Sequence, residues 1–439
     1  MNCVPSWRTR GDRSCAPESR RFAIAALVLP LIAFTSCAGL FQRSMPDVIA
    51  SYARITTGEV CAGFAESDIT PDGVQYLGGF SLNKPSTGVH SPLKARAVVL
   101  IIGGRRIAIV GVDNLGLLRE DVEWIKQSLT GFANGDVFIC SSHTHAGPDL
   151  IGLWGFYFLT SGRDTDYLRV VRRGIRDAVS AAEKNARPAT LWQGQDRLTP
   201  EVLVDNSNRR GVYNRRVTVL EARAKSDGKP LGSLLHFACH PEMMRRNNTL
   251  VSSDMVGTLC DRWRAAGHGQ AVFVNGELGA MVTPRYRPHG AKGIPVVGGK
   301  LLVISERALA AAHELKAPGV EVRRRDVYLP LKTPGLVVGR LSGAIRRELY
   351  GGNLRTSVGY LRIGTFEAVS VPGEMEPVLA GEIRRALGKP DLLVFGLVDD
   401  EVGYIMRGVD AVDPEFAYER TMSPSRDAGE LLRAAIVGR

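Results

Sequence analysis

The stretch "ARAVVLIIGGRRIAIVGVDNLGL", residues 95–117, decides the fold of this chain. Two apolar runs flank Gly103 and Gly104, which predicts two strands joined by a tight turn. Further along, residues 119–129 ("REDVEWIKQSL") read as a helix and residues 136–142 ("DVFICSS") as a buried strand. Because strands and helices alternate in this way, we predict an α/β protein.

Residues 165–186, "TDYLRVVRRGIRDAVSAAEKNA", form the clearest helical pattern, with apolar residues at helical spacing and charged residues on the opposite face. The other predicted strands are 217–223, 232–240, 270–276 and 391–398, and the other predicted helices are 254–266, 299–315 and 376–388. We therefore expect a single large domain over residues 57–425, with one or more mixed β-sheets flanked by helices. The tail, residues 426–439, is expected to end in a short helix.

The composition fits a globular enzyme or binding protein. The chain has 439 residues, is 44% hydrophobic and carries a formal net charge of +11. The positive charge is spread along the chain without a long basic run, which favours anionic lipid surfaces as partners. No nucleic-acid-binding module or aromatic-basic repeat is present, so we predict no nucleic-acid partner.

The N-terminal leader has the pattern of an export signal. In "SRRFAIAALVLPLIAFTSCAG", residues 19–39, two arginines precede a short apolar run and then Cys37. The sequence around Cys37 is similar to a bacterial lipoprotein processing site, so we predict a signal over residues 1–37 and a lipidated Cys37. Residues 38–56 would then tether a cell-envelope lipoprotein to the membrane surface. A plainly secreted or periplasmic protein and an uncleaved anchor are the alternatives.

Four cysteines follow the leader: Cys61, Cys140, Cys239 and Cys260. Their spacing is not that of a zinc site, and they are too few for a disulfide scaffold. One disulfide bridge and buried free thiols are both compatible with the sequence.

Two of the eight histidines lie close together in "DVFICSSHTHAGPD", residues 136–149. If the strand continues, His143 and His145 point to the same side at its end, where α/β sheets usually bind ligands. A pair of surface loop histidines is the alternative interpretation.

A second histidine pair occurs in "LLHFACHPEMM", residues 234–244, where an apolar strand again runs into a turn. His240 at the strand end is the better metal ligand, whereas His236 reads as a core or supporting residue. A catalytic zinc site (Zn²⁺) also needs a third ligand and an open position for water. Glu374 in "AVSVPGEMEP", residues 368–377, offers a carboxylate, although a glutamate after Pro-Gly is commonly only a turn residue.

Taken together, several segments resemble the neutral/alkaline ceramidase family, specifically its large N-terminal amidase domain. The segments follow the family's order; they are "GFAESDITP" (63–71), "SSHTHAGP" (141–148), "NSNRRGVYN" (206–214), "FACHPEMM" (237–244), "VPGE" (371–374) and "GLVDDEVGYIM" (396–406). The resemblance implies a zinc-dependent amidohydrolase that cleaves a ceramide-like N-acyl lipid.

The resemblance also implies roles for individual residues. It assigns the zinc ligands to His143, His240, Glu374 and Tyr404. His145 would face the substrate and assist proton transfer, and Arg209 would polarise or position the substrate. His145 or Tyr404 could stabilise the developing oxyanion or protonate the leaving amine.

One segment departs from the family. Where the ceramidases have a "GDVSP" turn that presents a serine, this chain has "NGELGAMVTP", residues 275–284. Ala280 and Met281 occupy the central positions, and Thr283 supplies the hydroxyl. The departure leaves open a zinc hydrolase of another small amide or ester, or a non-catalytic surface-binding lipoprotein. It also leaves open whether His236, Glu242 or Glu277 contacts the metal.

Overall fold

The computed structural model describes residues 50–52, 55–197 and 203–438. The predicted signal and lipidated Cys37 lie outside the described residues, as does most of the predicted tether. Residues Arg43–Arg439 form one compact unit. Among the helices described below, none combines the length and the apolar character needed to cross a bilayer.

Strands and helices alternate along the described chain, as the sequence predicts. In chain order, the strands are β1 (Ala50–Tyr52), β2 (Val60–Asp68), β3 (Gly88–Val89), β4 (Lys94–Ile102), β5 (Arg105–Val112), β6 (Val137–Ser141), β7 (Arg187–Arg197), β8 (Val204–Asn206), β9 (Arg216–Ala224), β10 (Pro230–Phe237), β11 (Leu250–Val251), β12 (Gln270–Asn275), β13 (Val282–Pro284), β14 (His313–Glu314), β15 (Val320–Pro330), β16 (Leu349–Tyr350), β17 (Asn353–Ile363), β18 (Phe366–Ser370), β19 (Glu374–Met375), β20 (Leu393–Phe395) and β21 (Tyr404–Ile405). The α-helices are α1 (Arg119–Lys126), α2 (Thr165–Lys184), α3 (Asp254–Ala265), α4 (Ile294–Ala310), α5 (Pro334–Leu341), α6 (Pro377–Leu387), α7 (Ala417–Thr421) and α8 (Ala428–Val437). The predicted α/β class is confirmed.

A nine-stranded mixed sheet contains the strands that carry the histidines. Its order is β12-β10-β9-β7-β2-β4-β5-β6, with β14 paired to β7. The predicted hairpin is its β4–β5 pair, antiparallel around the Gly103-Gly104 turn. The sheet curls so that β12 lies directly against β5. The two strands approach so closely that a Cβ atom at Gly111 would lie 2.4 Å from the carbonyl oxygen of Phe273. The curl brings the ends of β6 and β12 together, although these strands are the two edges of the sheet.

A second, six-stranded sheet was not predicted in full. Its order is β1-β15-β17-β18-β20, with β16 paired to β17. We did not predict β15 or β17, because arginines and other polar residues alternate with their buried apolar residues. The backbone N–H of Ser141 at the end of β6 donates to the Leu397 carbonyl at 3.1 Å. This contact joins the two sheets next to the histidine turn.

Helix α2 covers the nine-stranded sheet as its apolar periodicity requires. The Asp164 side chain caps its N-terminus by accepting from the backbone N–H groups of Asp166 and Tyr167. A Cβ atom at Gly63 on β2 would lie 2.0 Å from the Ala182 carbonyl oxygen, so the helix rests directly on the strand. The strands below therefore form a rigid platform for the site.

The folded region is longer than the predicted 57–425 at both ends. Ala50–Tyr52, within the predicted tether, pairs with β15. Helix α8, within the predicted tail, buries Ala428 and Leu432 in a hydrophobic core. The four cysteines are free thiols, of which Cys140, Cys239 and Cys260 are buried.

Candidate active site

His143 and His145 lie in a turn directly after β6. The strand ends at Ser141 and His143 has a left-handed φ of 71°, so strand alternation does not orient the two rings as we predicted. The backbone N–H groups of His143 and Thr144 both donate to the Asn114 carbonyl, at 2.8 and 3.1 Å. The turn nevertheless places the two imidazole centroids 5.0 Å apart.

His240 follows β10 by three residues and is completely buried. Its backbone N–H and its Nδ1 both lie 2.9 Å from the carbonyl oxygen of Val282. A neutral His240 that donates from Nδ1 therefore directs the lone pair of Nε2 into the site.

The predicted carboxylate reaches the same point from the second half of the chain. Short strand β19 begins at Glu374 and pairs in parallel with β21, and Glu374 lies opposite Tyr404 in this pairing. Two residues that are 30 positions apart are thereby held side by side, and both are buried.

Three of the predicted ligands converge through their polar atoms. Glu374 Oε2 lies 2.9 Å from His240 Nε2, and Glu374 Oε1 lies 3.5 Å from His143 Nε2. His143 Nδ1 lies 2.7 Å from the Leu115 carbonyl oxygen, so His143, like His240, presents Nε2 to the site. The rings of His143 and His240 are 5.0 Å apart between centroids.

The charges in this cluster support one another. Burial alone would raise the pKa of Glu374, but His143 and His240 outweigh burial and hold the pKa well below its usual range. Burial opposes a charge on His240, but the hydrogen bond to Glu374 and the carboxylate charge raise the His240 pKa. Glu374 therefore stays ionised, which is the state in which a carboxylate binds a cation.

The donor set fits a zinc ion. His143 Nε2 is buried without a hydrogen-bond partner among the described residues, and so are both ring nitrogens of His145. Ring nitrogens of His143, His145 and His240 lie within 4.8 Å of one another, as in a metal site. Imidazole nitrogens with one carboxylate are a ligand set that catalytic zinc sites use. This cluster includes His145, which the family resemblance assigns to the substrate side.

His145 is positioned by close packing. Its backbone N–H donates to the Pro241 carbonyl at 3.1 Å, and its ring lies 4.9 Å from that of Phe80. A Cβ atom at Gly79 would lie 2.6 Å from His145 Nδ1, and Gly79 has a φ of +103°. Burial and the neighbouring histidines lower the His145 pKa well below its usual value, so the ring is neutral at pH 7.

Gly79→Ala should therefore displace the His145 ring. For the zinc amidohydrolase that the family resemblance implies, we expect hydrolysis by the variant to fall about 100-fold, because a displacement of about 1 Å costs that much in an oriented site. The measurement is the turnover number of the purified variant alongside its zinc content, which should be unchanged. Gly73→Ala is the matched control, since nothing lies within 4 Å of a Cβ atom there. Equal turnover by wild type and Gly79→Ala would show that the ring position does not matter.

Tyr404 lies beside the cluster in contact with the segment that departs from the family. Its hydroxyl is 3.2 Å from Met281 Sδ. Burial, and next the charge of Glu374, raise the Tyr404 pKa well above its usual value. The Thr283 hydroxyl donates to Glu242, which also accepts from Arg245 at 2.9 Å. Thr283 and Glu242 therefore satisfy each other.

Arg209 lies between β8 and β9 and is not among the residues that line the pocket described below. Its guanidinium pairs with Asp410, and with Glu376 at 3.3 Å. Because Glu376 is two residues from Glu374, Arg209 is placed to position the carboxylate strand. Direct contact between Arg209 and the substrate stays a prediction, because Arg209 does not line the pocket.

His236 and Glu277 form a separate buried group. His236 Nε2 lies 2.8 Å from the Val394 carbonyl oxygen, and Glu277 pairs with Arg384 at 2.6 Å. Neither residue lines the pocket. The interpretation of His236 as a core or supporting residue agrees with this position.

Two supporting residues escaped the sequence analysis. The Asn275 side chain, at the end of β12, donates to the carbonyls of Ser142 and Cys239 at 2.8 Å each. It thus ties together the two segments that carry the histidines. Glu401 lines the pocket, and burial followed by the charge of Glu374 raises its pKa well above its usual value. An apolar strand that ends in Asn was the one signal for Asn275, and nothing in the sequence marked Glu401.

The histidine cluster opens into a largely apolar pocket, whose volume of about 740 Å³ includes open solvent at its mouth. The polar end holds His143, His145, Glu374, Glu401 and Tyr404. The apolar walls are Leu115, Leu118, Ile151, Leu153, Trp154, Leu331, Leu336, Ile345, Leu354, Val402 and Met422. Arg340 and Arg347 also line the pocket. A pocket with a cluster of polar groups and mostly apolar walls suits a substrate with a polar head and a hydrocarbon chain.

Comparison with known proteins agrees with this arrangement. The chain is 26% identical to neutral ceramidase A of Dictyostelium discoideum over 226 residues, which is 46% of this chain and 32% of that protein. It is 27% identical to the neutral ceramidase of Oryza sativa subsp. japonica over 216 residues, 44% of this chain and 27% of that protein. The chain thus spans about a third of the length of these curated relatives.

The fold is shared with a solved structure. Neutral ceramidase from Pseudomonas aeruginosa superposes with a TM-score of 0.70 at 18% identity, covering 87% of this chain and 74% of that one. The sequence profile of the neutral/alkaline non-lysosomal ceramidase N-terminal domain matches residues 61–276, which include the three histidines of the cluster. Over these residues, the chain is similar to the N-terminal domain of the neutral/alkaline non-lysosomal ceramidase family.

Proposed function

We propose that this protein is a zinc-dependent amidohydrolase that cleaves the amide bond of a ceramide-like N-acyl lipid. The observation that carries the proposal is the convergence of His143, His240 and Glu374 at the polar end of an apolar pocket. A zinc ion held there would act as a Lewis acid on the amide carbonyl and lower the pKa of water.

The residues of the chain supply the remaining chemistry. His145 is neutral at pH 7, so the unprotonated one of its two ring nitrogens can accept a proton from water, and the ring can return that proton to the leaving amine. Because its pKa is raised, Tyr404 keeps its proton and can donate a hydrogen bond to the developing oxyanion. The leucine-rich walls exclude water and hold the acyl chain.

The proposal is tested by hydrolysis of defined substrates. Zinc-loaded protein is offered a long-chain ceramide in mixed micelles and, separately, a water-soluble short-chain N-acyl amide and an ester. We expect release of fatty acid from ceramide, its loss after chelation, and its return when zinc is restored.

Each other result has a clear meaning. Hydrolysis of the soluble amide or ester alone would favour the second candidate, a hydrolase of a smaller substrate. The contact between Met281 and Tyr404, in the segment that lacks the family serine, is the observation that favours this alternative. No hydrolysis of any substrate by folded, zinc-loaded protein would favour a non-catalytic binding lipoprotein.

We also propose, from the leader sequence, that the protein is exported and anchored to the cell envelope through lipidated Cys37. A substrate located in a membrane would suit such an anchor.

A further inference from the structure

Exposed apolar side chains continue outward from two walls of the pocket. One group is the loop tip at Phe156, Tyr157, Phe158 and Leu159, whose exposed fractions are 64, 54, 52 and 40%. The other group is Val338 and Leu341 on α5, with 44 and 61% exposed. We call these six residues the rim surface. Exposed apolar residues clustered in this way mark interaction sites on soluble proteins.

Both groups are continuous with the pocket. Leu153 and Trp154, just before the loop tip, line the pocket wall, and so do Leu336 and Arg340 on α5. The loop and α5 also share a hydrophobic cluster, since Leu153, Trp154 and Leu336 pack against the same buried residues. A molecule bound to the rim surface is therefore next to the pocket.

The loop tip is held in place by hydrogen bonds. The Tyr157 N–H donates to Thr160 Oγ1 at 2.8 Å, and the Thr160 N–H donates to the Tyr157 carbonyl at 2.8 Å. The Gly155 carbonyl accepts from the Asn83 N–H at 2.8 Å. These contacts fix the backbone of the loop tip, and its aromatic rings are exposed to water, where each loses the stabilisation that burial would give.

Arginines follow the exposed residues of α5, and the next acidic residue along the chain is the exposed Glu348. Residues 334–347 contain Arg340, Arg346 and Arg347 and no acidic residue. Arg347 is buried against Asp400 at 2.6 Å, whereas Arg340 and Arg346 have no carboxylate partner among the described residues. Residues 150–163 also lack an acidic side chain. Aromatic and aliphatic side chains next to unpaired arginines are the combination that binds anionic bilayers.

We propose that the rim surface docks on a bilayer containing anionic phospholipid, so that a lipid moves from the membrane into the pocket without crossing water. This inference deepens the proposed function and rests on its lipid substrate. It differs from anchoring through Cys37, because the rim surface would orient the pocket toward the membrane.

The test is binding to vesicles by residues Arg43–Arg439, which form the compact unit and lack Cys37. Vesicles of phosphatidylcholine are compared with vesicles that also contain phosphatidylglycerol, and bound protein is measured by co-sedimentation. We expect binding that requires phosphatidylglycerol, and Phe156→Ser/Phe158→Ser should weaken it about tenfold or more. Ile55→Ser/Val303→Ser, two exposed apolar residues outside the rim surface, is the matched control and should bind like wild type.

Thermal unfolding and zinc content of each variant confirm that it is folded. No wild-type binding, equal binding by wild type and the phenylalanine variant, or equal binding to both vesicle types would overturn the proposal. Self-association of wild type that the phenylalanine variant loses, without vesicle binding, would assign the rim surface to a second copy of the chain instead. Vesicle binding needs no turnover, so this result stands apart from the outcome of the ceramide assay.

Discussion

Replacing His143 with alanine is expected to abolish both zinc binding and hydrolysis. Wild-type residues Arg43–Arg439 should contain about one zinc ion per chain, as expected for one such site. His143 faces Glu374 at 3.5 Å, and without its Nε2 the remaining donors hold the cation too weakly to survive purification. The measurement is metal content by mass spectrometry, paired with the amide hydrolysis assay.

Two further variants make the experiment specific. His143 has a left-handed φ of 71°, which asparagine adopts more readily than alanine, so His143→Asn should lose zinc with less effect on folding. His313→Ala removes an exposed histidine from β14 and should retain zinc. Folded wild-type protein that binds no zinc would exclude the hydrolase proposal and leave the binding lipoprotein.

Local patterns in the sequence were sufficient for the elements that surround the site. The β4–β5 hairpin and α2 were predicted because their apolar residues repeat at strand and helix spacing over whole elements. β15 was missed because Arg323, Arg324 and Arg325 interrupt its apolar run, although its ends are buried. Alternation of this kind is weak evidence until the partner strand is known.

The site itself was found through residue types and the family resemblance, and not through local geometry. His143, His240 and Glu374 were identified, but the contacts that orient their side chains are tertiary contacts, made by segments distant in the sequence. The Leu115 and Val282 carbonyls fix the two imidazoles, and a two-residue strand pairing places Glu374 beside Tyr404. A pairing that short leaves no periodic signal in the sequence.

Arg209, in contrast, was identified through the family resemblance, but its surroundings in the fold point to a different role. The family resemblance assigned Arg209 to the substrate, but the folded chain surrounds this arginine with Glu376 and Asp410. Asp410 is 201 positions away, so only the fold reveals that the guanidinium charge is already paired. A paired arginine more readily positions a neighbouring strand than polarises a substrate.

His145→Ala separates the two ligand sets that the site allows. If His143, His240 and Glu374 hold the zinc, the variant should keep about one zinc ion per chain, as one catalytic site requires. Turnover should fall by about 10²–10⁴-fold, the usual contribution of a positioned acid–base group. The measurements are zinc content and the turnover number at saturating substrate.

Loss of zinc from His145→Ala would instead make His145 a ligand, as the packing of the three histidine rings allows. His145→Gln tests the same point while retaining polar atoms near the original positions. The expectation that the variant keeps its zinc rests on a contact that His143 and His240 have in common. Each is oriented by a main-chain carbonyl, at 2.7 Å for His143 and 2.9 Å for His240, whereas both His145 nitrogens lack a partner among the described residues. Metal-binding histidines usually have such an orienting contact, and a ring that exchanges protons with substrate keeps its nitrogens free.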